Sequence, residues 1–371
     1  VNIAGLESGA KWQYSLDNGT TWSAGSGSSL TLTGDGQKAV LISQTDLAGN
    51  ISTNGTLSFT LDTQAPVTTA STLGFSDDTG GNTSDFILNA TTQTVSGTLS
   101  ANLSDGEVVW VSLDNGATWQ VATSSVGSTT FSLSGVTLTG SNTLLVRVDD
   151  AAGNMGIPVS QNFTLDTSVS QPEVALGNDA GSSNQDRITN DGTINVTGFD
   201  SDVVSWDYSV DGSDWAAGTG SSFVVDGADG QRIVQVRVTD LAGNVSATAY
   251  SFTLDKSISS PVLSLANDSG ASNADGVTNE VTVNVDSIDT DATWEYSING
   301  GDWIAGTGSS FVVSGSDGQK TIQVRATDIA GNVSVTNSIF TLDTSVSQPV
   351  LSLAKDNGAL SDDLLTNDGT V

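Results

Sequence analysis

Residues 293–305 read TWEYSINGGDWIA, and in this stretch large apolar side chains alternate with polar ones. Trp294, Tyr296 and Ile298 each lie two positions apart, a period that predicts a half-buried β-strand with the tryptophan inward. The sequence Asn-Gly-Gly at 299–301 favours a tight turn directly after that strand. The stretch therefore predicts a strand, a turn and the start of a second strand.

The surrounding residues, 257–344, contain seven short runs of this kind. The predicted strands are 261–266, 281–285, 293–298, 302–305, 310–313, 320–327 and 334–343. Glycine-rich turns separate several of them, and no helical period extends beyond a single turn. Seven alternating strands with a core tryptophan on the third predict an all-β, immunoglobulin-like sandwich.

The same pattern recurs along the whole chain of 371 residues, as two short motifs show. The motif FTLD ends at Asp62, Asp166, Asp255 and Asp343, and the motif Asp-x-Ala-Gly-Asn begins at Asp46, Asp150, Asp240 and Asp328. Each period also carries two of the eight tryptophans. A fixed period of this length is typical of a tandem array of domains.

The motifs divide the chain into five segments, of which the first four are repeats 1 to 4. They are 1–64, an Ig-like repeat that lacks its first strand; 65–167, a longer variant; 168–256; 257–344; and 345–371, the first strand and loop of a further repeat. We expect the array to continue beyond this chain. The extra residues of repeat 2, before Trp110 and at 121–140, should form strands or loops, and 345–371 should pack poorly.

The charge balance limits the partners of this protein. It has 42 acidic and 10 basic residues, a formal net charge of −32. Such a chain repels phosphate, which excludes nucleic acid and disfavours anionic membrane surfaces. No run of about 18 apolar residues is present, so we expect no membrane insertion in this segment.

Cysteine and histidine are both absent. Their absence excludes thiol nucleophiles, Ser-His-Asp triads and the usual zinc sites, and it is compatible with secretion. Paired acids of the kind used by glycoside hydrolases do occur, but they recur in every repeat and lie in turns. A single active site would not repeat in this way, so we predict that the protein is not an enzyme.

The acidic residues are strongly biased, because only five of the 42 are glutamates. A short aspartate carboxylate suits the compact oxygen cages that bind calcium.

Each loop after a first strand, here called the aspartate-pair loop, carries two aspartates that are seven positions apart. The pairs are Asp78 and Asp85, Asp179 and Asp186, Asp268 and Asp275, and Asp356 and Asp363. A glycine follows each first aspartate by two. The alternative is a turn whose aspartates cap their own backbone.

Strand direction predicts which aspartates meet. In a seven-stranded sandwich the aspartate-pair loop and the FTLD end lie at one pole, and the Asp-x-Ala-Gly-Asn loop, here the DxAGN loop, lies at the other. Successive repeats should therefore join these poles around Ca²⁺. Further acids are expected nearby: Asp105 and Glu107 at the first joint, Asp200 and Asp202 at the second, and Asp286, Asp289 and Asp291 at the third. The predicted metal ligands are Asp62, Asp78, Asp85, Asp150, Asp166, Asp179, Asp186, Asp240, Asp255, Asp268, Asp275, Asp328 and Asp343.

These motifs resemble those of a known group. The strings SLDNGTTW at 15–22, SLDNGATW at 112–119 and RVTDLAGN at 237–244, with the FTLD ends, are similar to bacterial Ig-like repeats of giant adhesins. This group includes RTX-type and biofilm-associated adhesins secreted by type I systems. The resemblance implies a calcium-stiffened stalk at the bacterial cell surface that serves cell adhesion or biofilm formation.

We therefore predict an extender segment whose direct partners are neighbouring repeats of the same chain. Host-cell or biofilm glycans would be met through other regions of the protein. The alternative is a segment that itself binds a glycan or receptor. Trp110 is the candidate residue, because alignment of the SLDNG strings places Val109 at the core position and turns Trp110 to the opposite face. Packing over neighbouring side chains is the other interpretation of this tryptophan.

Overall fold

The computed structural model describes residues 1–357, 359–360 and 362–369, and every element in these residues is a β-strand. None of the described residues forms a helix long and apolar enough to cross a membrane. By compactness the chain divides into two units, 1–171 with 198–206 and 237–246, and 172–197 with 207–236 and 247–371. The predicted all-β fold class is confirmed.

Repeats 1 and 2 belong to the first unit. Their strands are β1 Lys11–Ser15, β2 Ser23–Ala24, β3 Gly36–Thr45, β4 Gly55–Leu61, β5 Ala70–Phe75, β6 Ile87–Leu88, β7 Thr92–Leu99, β8 Val108–Ser112, β9 Gln120–Val121, β10 Thr123–Ser124, β11 Thr130–Thr137, β12 Asn142–Asp149 and β13 Val159–Leu165.

The strands of repeats 3 and 4 follow the same plan. They are β14 Glu173–Leu176, β15 Ile188–Thr189, β16 Thr193–Thr197, β17 Val203–Val210, β18 Ala216–Ala217, β19 Ser222–Val224, β20 Gly230–Asp240, β21 Val245–Leu254, β22 Val262–Leu265, β23 Val277–Thr278, β24 Thr282–Asp286, β25 Thr293–Ile298, β26 Ile304–Ala305, β27 Ser310–Val312, β28 Gly318–Thr327 and β29 Val333–Leu342.

Repeat 4 lies in the second unit and consists of two sheets. One has the order β22-β24-β27 and the other β23-β29-β28-β25-β26, and repeat 3 has the equivalent two orders. The seven strands predicted for repeat 4 are all present. An eighth, β23, was not predicted: its two residues pair in parallel with the end of β29, so that Val277 lies opposite Thr341.

The core of repeat 4 is built from the alternating residues of both sheets. Its buried members include Val283, Val285, Trp294, Phe311, Ile322, Val324, Phe340 and Leu342. Trp294 is only 6% exposed, and its indole N–H donates to the Gly308 carbonyl at 3.3 Å. Gly306 lies against the indole ring, where a Cβ would overlap it. The inward tryptophan is thus confirmed, and truncating such a side chain to alanine costs about 3–5 kcal/mol.

The SLDNG motif holds its own turn through side-chain hydrogen bonds. In repeat 1 the Thr21 hydroxyl donates to Asp17 Oδ2 at 2.6 Å, while the Thr21 N–H and the Ser15 hydroxyl donate to Oδ1. These bonds lower the pKa of Asp17 to about 2, and the same arrangement with Thr118 lowers that of Asp114. The motif therefore fixes the hairpin between the two tryptophans of these repeats.

Repeat 2 keeps the sandwich despite its extra length. Its sheets have the orders β10-β11-β7-β5 and β6-β13-β12-β8-β9. The residues at 121–140 form short strands, turns and the long strand β11, and they contain no helix. The prediction of strands or loops there is confirmed. Val109, which is fully buried, fills the position that a tryptophan occupies in the other repeats.

The two outer segments are less complete. Repeat 1 contains one four-stranded sheet, β2-β1-β3-β4. The described part of 345–371 contains no strand, and Val346 and Val350 are 95% and 91% exposed. This confirms the poor packing predicted there. The remainder of that segment, Gly358, Ser361, Thr370 and Val371, lies outside the described residues.

Candidate cation site at the joints between repeats

A joint is the place where the FTLD end of one repeat meets the DxAGN loop of the next. Joint 1 follows repeat 1, joint 2 follows repeat 2 and joint 3 follows repeat 3. The residues of joints 1 and 2 discussed below all belong to the first compact unit, and those of joint 3 to the second.

The aspartate-pair loop has one hydrogen-bond pattern in all four copies. In repeat 2, Asp78 Oδ2 accepts the backbone N–H of Phe86 at 3.2 Å, and Asp85 Oδ1 accepts that of Ile87 at 3.0 Å. Phe86 has a φ of +63°, a conformation that few bulky residues adopt. The carboxylates thus hold a strained bend, as the capping interpretation of the pair requires.

Capping leaves one carboxylate oxygen of every first aspartate unused. The Oδ1 atoms of Asp78, Asp179, Asp268 and Asp356 are all shielded from solvent and have no hydrogen-bond partner. Burial and, after it, the nearby Asp85 carboxylate raise the pKa of Asp78. A buried, unpaired carboxylate oxygen is unfavourable unless a cation or donor compensates it. The same oxygen is left uncompensated in four loops.

The glycine that follows each first aspartate allows the loop to approach the next repeat. Gly80 has a φ of +89°, and a Cβ there would overlap the Leu241 carbonyl oxygen of the DxAGN loop. At joint 3, a Cβ on Gly181 would overlap the Ile329 carbonyl oxygen in the same way. The fixed glycine spacing therefore reflects backbone contact across the joint.

The asparagine of the DxAGN loop bridges the two repeats. At joint 2, the side-chain amide of Asn244 donates to Asp240 Oδ2 at 2.8 Å and to the Asp166 carbonyl at 3.0 Å. At joint 3, Asn332 donates in the same way to Asp328 and to the Asp255 carbonyl. At joint 1, the corresponding bonds run from Asn154 to Asp150 Oδ2 at 2.8 Å and to the Asp62 carbonyl at 3.2 Å.

Three carboxylates converge at joint 2. Oxygens of Asp166, Asp202 and Asp240 all lie within 4.8 Å of one another. Asp240 is fully buried, and the other two are half-buried. The backbone N–H of Leu241 donates to the Asp202 carbonyl at 3.0 Å, which fixes the two loops together. Like charges this close favour a bound cation, since they otherwise repel.

The equivalent carboxylates of joint 3 influence one another, although among the described residues they do not form a group as close as that of joint 2. Burial raises the pKa of Asp255, and the carboxylates of Asp328, Asp229 and Asp291 raise it further. Asp291 occupies the position that Asp202 has in the preceding repeat. Strand direction had placed Asp255, Asp291 and Asp328 at this joint.

Joint 1 differs because Gly106 occupies the position of Asp202. Asp105 and Glu107 were expected to supply carboxylates here. The Glu107 carboxylate instead accepts the Ser104 backbone N–H at 2.7 Å. Asp62 and Asp150 remain the predicted pair at this joint.

Several other predicted residues have local roles. Asp200 and Asp289 accept the linker N–H groups of Ser170 and Ser259, both at 2.7 Å. Asp78 and Asp85 belong to joint 2 but not to its three-carboxylate group.

At the far end of repeat 4, Asp275 and Asp343 line an open cavity of about 240 Å³. The aspartate-pair loops of repeats 3 and 4 cap their backbones through Asp179, Asp186, Asp268 and Asp275.

The comparison with known families agrees with this architecture. Residues 64–167 and 168–256 match the family described as bacterial Ig-like domain, which covers more than half of the chain. The chain belongs to this family. The family predicted from the motifs is thereby confirmed.

The chain is only distantly similar to solved structures. A tetra-tandem repeat from the extending region of a large adhesion protein is 18% identical, covers 93% of this chain and 94% of that one, and has a TM-score of 0.28. A second structure, concerning host cell surface retention of a 1.5-MDa bacterial ice-binding adhesin, is 20% identical. The match covers 73% of this chain and 96% of that one, and the TM-score is 0.36. No curated protein sequence matches the chain.

Trp110 lies on the outer face of its bacterial Ig-like domain, as the alignment predicted. Val109 and Val111 on either side are buried in the core, whereas Trp110 is half-buried. It pairs across the sheet with Arg147 and Val121. This placement favours packing over neighbouring side chains and gives glycan stacking no separate support.

Replacing Asn332 with alanine should loosen joint 3. The variant removes the bond to the Asp255 carbonyl as well as the local bond to Asp328. Asn50→Ala is the matched control, because the Asn50 side chain makes the same local bond to Asp46 at 2.7 Å and, among the described residues, none to an FTLD carbonyl. We expect Asn332→Ala to lower the free energy of unfolding by about 1 kcal/mol more than Asn50→Ala, measured by urea denaturation. Equal losses would show that the bridging bond is energetically neutral.

Proposed function

We propose that the chain is an extender segment of a large, secreted bacterial surface adhesin. The observation that carries this proposal is the recurrence of one joint geometry. The amide bridge from asparagine to the preceding FTLD carbonyl is present at three successive joints. A module that acts alone has no need of such a bridge, whereas a spacer gains reach and stiffness from it. The proposed role is structural and not catalytic.

Calcium is the proposed structural ion at these joints. Calcium takes six to eight oxygen ligands, and carboxylates and backbone carbonyls are its usual donors. Asp166, Asp202 and Asp240 would supply carboxylate oxygens at joint 2. The unpaired Oδ1 of Asp78 supports a further ligand in the adjoining loop. Each Ca²⁺ would reduce the formal net charge of −32 by two units and link residues of successive repeats.

Stiffness is the functional consequence that we propose. Without cations, the carboxylates at joints 2 and 3 repel each other across the contact between repeats. With calcium, the same carboxylates would hold the repeats at a fixed angle. Cell adhesion or biofilm formation would then depend on a binding region elsewhere in the protein, held away from the bacterial surface.

Calcium binding to the Asp202→Asn variant tests the site at joint 2. We expect isothermal titration to find one fewer tightly bound ion than in the wild-type chain, because the variant removes one of three converging carboxylates. Asp214→Asn is the control, since it removes the same charge from an exposed hairpin of the same repeat. The proposal fails if the wild type binds no calcium, or if the two variants bind it equally.

A further inference from the structure

Repeat 2 contains a polar cavity of about 310 Å³ between its SLDNG hairpin and residues 137–141. This volume lies at the lower end of the range of small-ligand pockets, roughly 300 to 1,000 Å³. The polar walls include Asp114, Gln120, Thr139 and Asn142. We propose that the cavity binds an alkylguanidinium or alkylammonium group, the head group of an arginine or lysine side chain. A spacer needs no such site, so the inference goes beyond the proposed stalk role.

Repeats 3 and 4 carry a basic residue of their own at the equivalent place. Eight positions before the first residue of the DxAGN motif stand Arg232 in repeat 3 and Lys320 in repeat 4, but Asn142 in repeat 2. The strand register agrees, because Lys320 lies opposite Phe340 and Asn142 lies opposite Phe163. Repeat 2 therefore has a short neutral side chain where the next two repeats have a long cation.

The basic side chains of repeats 3 and 4 bind acceptors in the surrounding loops. The Arg232 guanidinium donates to the Asp211 carboxylate at 2.8 Å and to the Ala228 carbonyl. The Lys320 ammonium donates to the Ser316 carbonyl at 2.7 Å, and Lys320 is only 4% exposed. In these repeats an internal cation thus fills the space between the hairpin and the loop before the long strand.

Repeat 2 keeps the acceptors although it has lost the cation. Leu138 stands at the sequence position of Ala228 and Ser316, and it lines the cavity. Asp114 corresponds to Asp211, because each is the second residue after a buried serine that precedes the hairpin turn. The cavity therefore retains a carboxylate and a loop carbonyl at the positions that hold a guanidinium in repeat 3.

The charge of the cavity selects a cation. Hydrogen bonds from Thr118 and then from the Ser112 hydroxyl lower the pKa of Asp114 to about 2, so its carboxylate is ionised at neutral pH. Among the described residues Asp114 Oδ2 accepts only the Thr118 hydroxyl, and a carboxylate oxygen can accept a second donor. Anions are repelled by this group and by the net charge of −32. Calcium fits poorly, because Asp114 is the only carboxylate in the walls.

The remaining walls suit the rest of a basic side chain. The side chains of Gln120, Thr137 and Thr139 line the cavity and form no hydrogen bond within the described part of the chain, so they are available to a ligand. Leu138 and Phe163, which are both buried, line it as well. Apolar walls of this kind pack against the methylene stem of an arginine or lysine, whose charged end stays among polar groups.

An NMR titration of the isotope-labelled full chain with N-acetyl-arginine amide tests the site, and the N–H signals of Gln120 and Asn142 are the reporters. N-acetyl-citrulline amide is the control ligand, because it has nearly the same shape and no charge. We expect the arginine compound to bind roughly tenfold more tightly, the factor for one charge-assisted hydrogen bond. Equal affinities, or shifts that leave both reporters unchanged, would overturn the proposal.

Two variants locate the binding in repeat 2. Asn142→Arg restores the basic residue of repeat 3, so it should fill the cavity from within and weaken binding of the arginine compound roughly tenfold or more. Ser160→Arg is the charge-matched control, because Ser160 is an exposed residue of β13 in the same repeat and does not line the cavity. Equal affinities of these two variants for the arginine compound would contradict the site.

Asp114→Asn decides the matter if Asn142→Arg does not fold. This variant should weaken binding of the arginine compound and leave that of the citrulline compound unchanged, and unchanged binding of both would contradict the proposal. Ethylguanidinium identifies the source of the bound group. An affinity equal to that of the arginine compound assigns the site to small cations, and a lower one assigns it to a basic side chain of a partner protein. All samples contain chelator, so failure of calcium binding leaves these outcomes unaffected.

Discussion

Removal of calcium should lower the melting temperature of the chain by roughly 10 to 20 °C, the shift that about 2.7 kcal/mol produces in domains of this size. That free energy is the stabilisation expected when an ion is in hundredfold excess over its dissociation constant and binds only the folded state. The physical source is the group of carboxylates at joints 2 and 3. Burial and neighbouring carboxylates raise the pKa of Asp78 and Asp255, so both are unfavourable when ionised and without a cation.

The pH dependence of the chelated protein should show the same effect. A carboxyl whose pKa is raised on folding stabilises the folded state only when it is protonated, and this contribution disappears as the pH rises through the folded pKa. Lowering the pH to just above the ordinary pKa of aspartate should protonate part of these raised carboxyls and stabilise the chelated protein. The difference in melting temperature between chelated and calcium-loaded protein should therefore become smaller. Calorimetry in calcium, in chelator, and in chelator with sodium chloride of matched ionic strength separates binding from screening. Equal melting temperatures in calcium and in chelator would contradict the cation site.

Much of the sandwich could be predicted from apolar residues that recur at every second position. Trp294, Ile322 and Val324 each lie between polar neighbours, and all three are buried in the core. Such a pattern survives tertiary packing because a shift of one residue would turn the whole apolar set outward. Turn residues that favour a positive φ, such as Asn299 with +53°, mark where these strands end.

The short strand β6 and its counterparts could not be predicted from the sequence. Two residues carry no period, and a parallel partner lies more than 70 positions away, at Thr164. The only signal was the fixed spacing of Asp78 and Asp85. That spacing was interpreted as metal ligation, whereas the structure shows that the carboxylates also hold the bend into β6.

The joints were predicted in part. Strand direction correctly placed Asp166 near Asp240 and Asp202, because the order of strands determines which loops share a pole. It did not reveal the amide bridge made by Asn244, although the asparagine recurs in every DxAGN motif. It also did not reveal why Gly80 is required, since a close backbone approach depends on the neighbouring repeat and not on local sequence.

The most direct test of calcium-stiffened joints is the maximum dimension of the whole chain in solution. Small-angle scattering should be recorded in calcium and in chelator, with the ionic strength matched by sodium chloride so that screening is constant. Asp202→Asn and its charge-matched control, Asp214→Asn, should be measured under the same two conditions.

We predict that calcium increases the maximum dimension of the wild type and of Asp214→Asn, and that Asp202→Asn shows a smaller increase because joint 2 loses a ligand. In chelator, all three proteins should have similar maximum dimensions and a broader distribution of end-to-end lengths. Wild-type scattering curves that superimpose in calcium and in chelator would contradict the account, and would leave the aspartates as residues that cap turns and brace strands.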